Sequence, residues 1–459
     1  MTGPGERVLS NVSTSRQQKV LVEGFGADSV ACVAFLSDKG AVVTIAGPGV
    51  PSTDAAALSR LGVEVIGHCD LDATSLTRDV FVVDCWTSER AARVIRHREA
   101  GSRLTSIGDL VLASSVVPTI GVTGTGGKTT ATRLVAAALR AGGLTVGESH
   151  SARAGNAWPS AELLEPMPHA DWLAVELTST HLAYMHETPT IAVITSFWPD
   201  HVELHGSLEN YRHAKARILG GEEQLVVING DDAGAAGFAE VARGRVVCAS
   251  ANGPVETGVG VEGGKMVLRD EGLLVPLGPR HALPFDGPLA GVAVTALVAA
   301  IWAGADPLLA ASALQVPLEL PHRRRTLGTV GGVEMVDDTA ATTPRKMVAS
   351  LFGRELARVV MIVGGASTLG TQAVLNAPEE RYELEQALSH LTGCRAVVAF
   401  GEAGTRIDGA SACVETFAQA CAAARRLARA GDTVIVSPMF PVDMEDRNRL
   451  PVLLGIEDD

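Results

Sequence analysis

GVTGTGGKTTATRLVAAALRAGG, residues 121–143, joins the end of an apolar strand, a glycine-rich turn, a Lys-Thr-Thr triplet and an alanine- and leucine-rich helix. Glycines at such a turn let the backbone point its N–H groups inward around an anion, and the helix that follows presents the positive end of its dipole. Gly124, Thr125, Gly126 and Gly127 would form the cradle. Lys128 would reach β- and γ-phosphates, and the hydroxyl of Thr129 or Thr130 would ligate Mg²⁺. The spacing is not the usual GxxxxGK[ST], because position 122 is Val. A turn needing glycine for geometry alone would have no use for a lysine and two threonines at the helix start. The loop on its own leaves kinases, motors, GTPases and ligases open.

Outward from this loop the chain alternates apolar strands with helices. Upstream, KVLVEGFGADSVACVAFLSDKGAVVTIAG reads as a strand, a glycine turn, a helix and a second strand. Downstream come WLAVEL, TIAVITS and QLVVIN, then an apolar helix near 290–303, and later ARVVMIVGG, CRAVVAF and GDTVIVSP. Strands apolar on both faces and alternating with helices imply mostly parallel sheets. The expectation is an α/β protein of three domains: a Rossmann-like unit at 1–115, a P-loop-type unit at 116–317 and a second Rossmann-like unit at 318–459.

Composition excludes several classes of partner. Of 459 residues, 46% are apolar and 20% charged, which supports buried cores, and the net charge of −14 would repel nucleic acid and anionic membrane surfaces. The seven cysteines are scattered and form no CxxC pair, so neither a disulfide framework nor a zinc site is expected and a reducing cytoplasm fits. The most apolar run, 289–305, is short of a membrane span and reads as a buried helix. A monomer acting on small molecules is the expectation.

Two further segments carry chemistry. Glu176 closes an apolar strand, where a carboxylate is costly unless it meets a cation such as Mg²⁺. In ITSFWPDHVELHGSLENYRHAKARIL, residues 194–219, Asp200 and His201 occupy a turn after a strand and Lys215 lies on the helix that begins near Ser207. Such a group could hold a second metal or position a substrate.

In order, TGTGGKTT, Glu176, DHVELHGSLENYRHAKARI, PHR at 321–323, DDTAATTP at 337–344 and GDTVIVSP at 431–438 resemble the Mur ligase family, and within it the branch that adds glutamate to a UDP-muramoyl-L-alanine precursor. The resemblance implies ATP-driven amide formation through an acyl phosphate. It implies Lys128 at the β- and γ-phosphates, Thr129 and Glu176 at a first Mg²⁺, and His201 with a carbamylated Lys215 at a second. It also implies Asn156 at the substrate, Arg323 and Asp338 at the nucleotide, and Ser437 at the incoming amino acid.

The chain departs from that pattern in places. Gly126 stands where the family has asparagine, and GVAVTA at 291–296 replaces HNxxNA, leaving adenine to shape, Thr295 or backbone. Ala340 stands at the lysine of NDSKATN, Thr343 at its last asparagine, and GGASTLG at 364–370 lacks the usual lysine. Two cations that would meet the carboxylates of D-glutamate are therefore missing, with Arg345, Lys346, Arg447 and Arg449 as candidate replacements. A branch that adds L-glutamate is the expectation. The alternatives are a related ligase of a specialised metabolite or a non-catalytic nucleotide-binding relative. In the first domain DCWTSE at 84–89 offers Trp86 as a ring that could stack on a ligand or simply pack.

Overall fold

The computed structural model describes residues 18–24, 27–47, 58, 60, 62–67, 78–149, 161–165, 167–365 and 378–457. Asn156 and residues 366–370 of the GGASTLG stretch lie outside them.

The apolar runs become strands of three sheets. Strands β1 (Lys19–Glu23), β2 (Val42–Gly47), β3 (Glu64–Gly67), β4 (Val80–Val82) and β5 (Arg103–Thr105) form a parallel sheet in the order β3-β2-β1-β4-β5. The helix Ala27–Asp38 covers it with Cys32, Val33 and Leu36. The second sheet contains β6 (Thr119–Thr123), β7 (Val146–Glu148), β8 (Trp172–Glu176), β9 (Ile191–Ile194), β10 (Leu225–Asn229) and β11 (Arg245–Ala249). It continues through β12 (Gly258–Glu262), β13 (Lys265–Asp270) and β14 (Leu273–Pro279), in the order β14-β13-β12-β11-β10-β9-β6-β8-β7. The third sheet comprises β15 (Arg325–Val330), β16 (Val333–Asp337), β17 (Val359–Gly364), β18 (Ala396–Phe400), β19 (Ala412–Val414) and β20 (Thr433–Met439), ordered β15-β16-β20-β17-β18-β19.

The protein is thus α/β with mostly parallel sheets. Among the described strands, antiparallel pairing is confined to β12-β13-β14 and β15-β16, which the apolar runs alone do not announce. Its signal is in the turns. Gly263-Gly264, Glu271-Gly272 and Gly331-Gly332 each carry positive φ at both positions, the two-residue turn whose twist matches a hairpin.

The second sheet decides where a ligand can sit. From β6 the chain crosses to the β7 edge, returns to β8 beside β6, and then passes to β9 on β6's other flank. Such a reversal opens a crevice at the carboxyl ends of the strands. Gly124 follows β6, Glu176 ends β8 and Thr195 follows β9, so three sequence-distant segments meet there. The sheet is backed by helices Lys128–Ala141 and Pro288–Trp302, the latter buried from Ala290 to Ala300. A helix apolar all round belongs in a core. Among the described residues no helix is long and apolar enough to cross a membrane.

Candidate active site

The loop after β6 is fixed by its neighbours. Gly127 adopts φ 81° at the start of helix Lys128–Ala141, and a Cβ there would meet Val292 Cγ2 at 2.8 Å, so both backbone and space demand glycine. Two hydroxyls hold Gly126: Thr195 Oγ1 donates to its carbonyl at 2.6 Å, and its N–H donates to Ser196 Oγ at 2.8 Å. Neither hydroxyl was singled out by sequence reasoning, although both sit in the quoted ITSFW. Thr125 Oγ1 lies 2.9 Å from Tyr211 Oη, which ties the loop to helix Leu208–Ala216.

A cavity of about 120 Å³ opens at this loop. Lys128, Thr129, Glu176, His201, Lys215 and Arg323 all line it, so the structure gathers five segments that are up to 195 residues apart, from 128 to 323. Glu176 is 2% exposed, far from the half-exposed strand end that a lone carboxylate would prefer. Thr129 Oγ1 donates to its Oε2 at 2.8 Å, and Arg323 Nη2 donates to Thr129 Oγ1 at 3.1 Å. A buried hydroxyl and carboxylate side by side are hard oxygen donors of the kind Mg²⁺ takes together with phosphate and water. Among the described residues no three His, Cys, Asp or Glu side chains converge as a ready protein-only metal cage.

Lys128 and Lys215 share an acceptor. Lys128 Nζ donates to Gly124 O at 3.2 Å and Lys215 Nζ to the same oxygen at 2.9 Å. Lys215 is 1% exposed and lies over the Tyr211 ring, 4.9 Å from its centroid. Burial, then the charge of Lys128, holds its amine well below the ordinary lysine range. That shift makes the uncharged, nucleophilic form of the amine more accessible than in an exposed lysine. His201 has φ 56°, an uncommon conformation for a non-glycine residue, and its ring stands 3.6 Å from both Asp200 and Glu203 carboxylates. Trp86 from the first sheet region is 49% exposed at the cavity mouth, with its ring 6.3 Å from that of His201, edge to face.

His205 was not singled out by the sequence either. It is 2% exposed and bridges Glu89 Oε1 and Ser179 Oγ at 3.0 Å each, joining the first sheet region to the wall of the cavity.

A second cavity, about 300 Å³, adjoins the first and is lined by Thr130, Phe285, Leu289, Leu318, Arg323 and Asp338 among others. Asp338 accepts from Arg324 N at 3.1 Å and from Ser437 Oγ at 3.0 Å. Burial outweighs those contacts and pushes its carboxyl up to about 7. Ser437, fully buried, is turned onto Asp338 and is not among the residues lining the first cavity. Thr295, considered as a base contact, is fully buried and donates to Gly291 O at 2.7 Å, so it reaches neither cavity. Shape supplied by Phe285, Leu289 and Leu318 remains for a flat ring.

The third sheet region closes the first cavity with Ala340, Thr342, Lys346 and Arg447. Of the four candidate cations, Lys346 and Arg447 face it. Arg345 is paired with Glu383 and stacked on Trp198 at 5.6 Å, and Arg449 is exposed on the surface.

Comparison with known proteins places this arrangement. Residues 122–262 match the Mur ligase middle domain. A UDP-N-acetylmuramoylalanine–D-glutamate ligase from Rubrobacter xylanophilus is 32% identical over 441 residues, covering 92% of this chain and 93% of the relative. Among solved structures, a pseudomurein peptide ligase type C from Methanothermus fervidus superposes with a TM-score of 0.57 at 16% identity, covering 96% of this chain and all of that one. The MurF ligase of Thermotoga maritima in complex with ADP gives 0.55 at 15% identity, covering 95% of each chain.

Proposed function

The chain belongs to the Mur ligase family, and from that premise we propose that it uses ATP to join the carboxylate of UDP-N-acetylmuramoyl-L-alanine to the amine of glutamate, in peptidoglycan precursor synthesis. The observation that carries the reading is the convergence of Lys128, Thr129, Glu176, His201 and Lys215 on one cavity. In this reading residues 1–115 receive the nucleotide sugar, 116–317 hold ATP and 318–459 receive the amino acid, in the cytoplasm.

A carboxylate is a poor electrophile because its leaving group would be oxide. Its oxygen would first attack the γ-phosphorus while the bond to the ADP oxygen breaks, giving an acyl phosphate. The neutral amine of glutamate then attacks the acyl carbon, inorganic phosphate leaves with the bonding pair, and the nitrogen's surplus proton goes to that phosphate. Catalysis of both steps is mostly charge neutralisation and positioning. Lys128 is the residue at the phosphates, with Arg323 beside Thr129 to meet charge from the opposite side. The ribose falls to Asp338, and the base to the apolar walls of the second cavity.

Thr129 and Glu176 would hold one Mg²⁺, with His201 and Lys215 toward a second, and the metal when bound screens the phosphate charges. Lys215 suits carbamylation: burial lowers the proton affinity of its amine, which in its uncharged form can bond to the carbon of CO₂ and release a proton. The sign of the side chain then changes, from a cation crowded by Lys128 to an anionic metal ligand.

L-Glutamate is favoured over D-glutamate, because Ala340 stands in the cavity wall where the D-glutamate branch carries a lysine. Phosphate release by purified protein with ATP, Mg²⁺ and UDP-N-acetylmuramoyl-L-alanine tests both levels. No release with either enantiomer overturns the ligase reading. Release with D-glutamate and not with L-glutamate overturns the stereochemical part alone.

A further inference from the structure

The first cavity carries two groups of cations, and the proposed chemistry uses only one. Lys128 and Lys215 converge on Gly124 O, and Arg323 lies at Thr129, so these three surround the phosphate loop. Lys346 and Arg447 belong to the opposite wall, contributed by the third sheet region. Lys346 Nζ has one weak protein contact, to Thr342 Oγ1 at 3.4 Å. Arg447 is 7% exposed and commits only its Nε, to Val442 O at 3.1 Å. Among the described residues neither is within ion-pair distance of a carboxylate, although Arg345, next to Lys346, is fully engaged with Glu383.

A buried guanidinium and a half-buried ammonium with no carboxylate at ion-pair distance, both facing a cavity, call for an anionic ligand. The guanidinium fork of Arg447 has its two terminal nitrogens free for a planar carboxylate, and a lysine supplies a point charge for a second. A dicarboxylic amino acid has two carboxylates and one amine. Held by both carboxylates from the third-domain wall, its amine is the end left to face the phosphate loop.

Resting on the ligase reading above, we infer that Lys346 and Arg447 form the carboxylate-binding pair for the incoming amino acid and set its requirement for a dicarboxylic acid. They take over the charge that Ala340 does not provide. Arg345 and Arg449 have no part in it.

The test compares steady-state kinetics of wild type, Lys346→Met, Arg447→Met and Lys346→Arg, with L- and D-glutamate and with L-glutamine as a mono-carboxylate probe. Loss of one charge-assisted pairing should raise the KM for the accepted glutamate by about 10- to 100-fold in each methionine variant. In Arg447→Met, KM for ATP and for the nucleotide sugar should stay within about twofold, whereas Lys346 also borders the second cavity; preference for glutamate over glutamine should fall about tenfold in at least one variant. Lys346→Arg, which keeps the charge, should recover much of the loss. Melting temperatures, with and without a non-hydrolysable ATP analogue, show that the variants are folded and still bind nucleotide. An unchanged KM for glutamate in both methionine variants, or in Arg447→Met a rise in the KM for ATP instead, overturns the assignment while leaving the ligase reading intact. Wild type that releases no phosphate with any amino acid overturns the reading and the assignment together.

Discussion

Gly126 lies directly beneath the indole of Trp198: a Cβ built on Gly126 would fall 2.5 Å from Trp198 Cη2. The asparagine that the family carries at this loop position cannot be accommodated while the tryptophan is present. The two positions are therefore expected to be energetically coupled. Gly126→Asn should destabilise the protein by about 1–3 kcal/mol, the usual cost of overpacking, and raise the KM for ATP. Gly126→Asn combined with Trp198→Ala should recover most of both effects. Thermal melts and ATP titrations of the four-member cycle measure the coupling, and additive effects would show the pairing to be incidental.

Lys215→Ala should lower turnover by at least about a thousandfold, the scale of losing a group that acts on the transferring phosphate. If the side chain works as a carbamate, a small carboxylate such as acetate or formate supplied in the buffer restores part of the activity. Wild type assayed in CO₂-depleted buffer should lose activity and regain it on adding bicarbonate. A variant that no small acid rescues would mean that the lysine acts through its positive charge.

With Asp338 at the ribose as proposed, its carboxyl, raised to about 7 by burial, should make nucleotide binding pH-dependent. A ribose hydroxyl donates best to the ionised form, so ATP affinity should improve as pH rises through about 7. Stability runs the other way. Between the unfolded value near 3.9 and about 7 the native state binds the extra proton, so this group's contribution to stability declines as pH rises across that window. Asp338→Asn should flatten both profiles. Isothermal titration with an ATP analogue from pH 6 to 8.5 checks the first, and melting curves from pH 4.5 to 8 the second.

Glu89, His205 and Ser179 form a chain of contacts from the first sheet region to the cavity wall, each 3.0 Å long. Glu89→Gln keeps the shape and removes the charge that orients the imidazole. On the order of 1 kcal/mol of lost orientation should appear as an approximately fivefold rise in the KM for the nucleotide sugar, with the KM for ATP unchanged. Equal changes in both would place the effect in general stability instead.

What the sequence made legible follows from locality. The phosphate loop, Glu176, His201 and Lys215 are each marked by a few adjacent residues, and the crevice at the end of β6 brings them together. The strands were legible because burial on both faces leaves uninterrupted apolar runs. The β12–β14 extension was hidden, since only the paired left-handed turn residues announce it. Lys346 and Arg447 were named among four candidates, but nothing local separates them from Arg345 and Arg449. That choice depends on Glu383 and Trp198, which are distant in sequence and capture Arg345. The fates of Thr295 and Ser437 were likewise set by partners, Gly291 O and Asp338, that side-chain type does not reveal.

The crowding of like charges around the first cavity also bears on how the halves of the molecule meet. Lys346 stands across the cavity from Lys128 and Lys215; next to the effect of burial, Lys128 lowers the proton affinity of Lys346 and Lys346 that of Lys215, with Asp200 and Glu176 acting the other way. Where Asp200 and Glu176 offset the cations only in part, these walls repel until a phosphate enters, so the ligand-free protein is expected to sample wider separations at low ionic strength and to contract as salt is added. Small-angle scattering across a salt series, with and without a triphosphate, would read this as a change in radius of gyration.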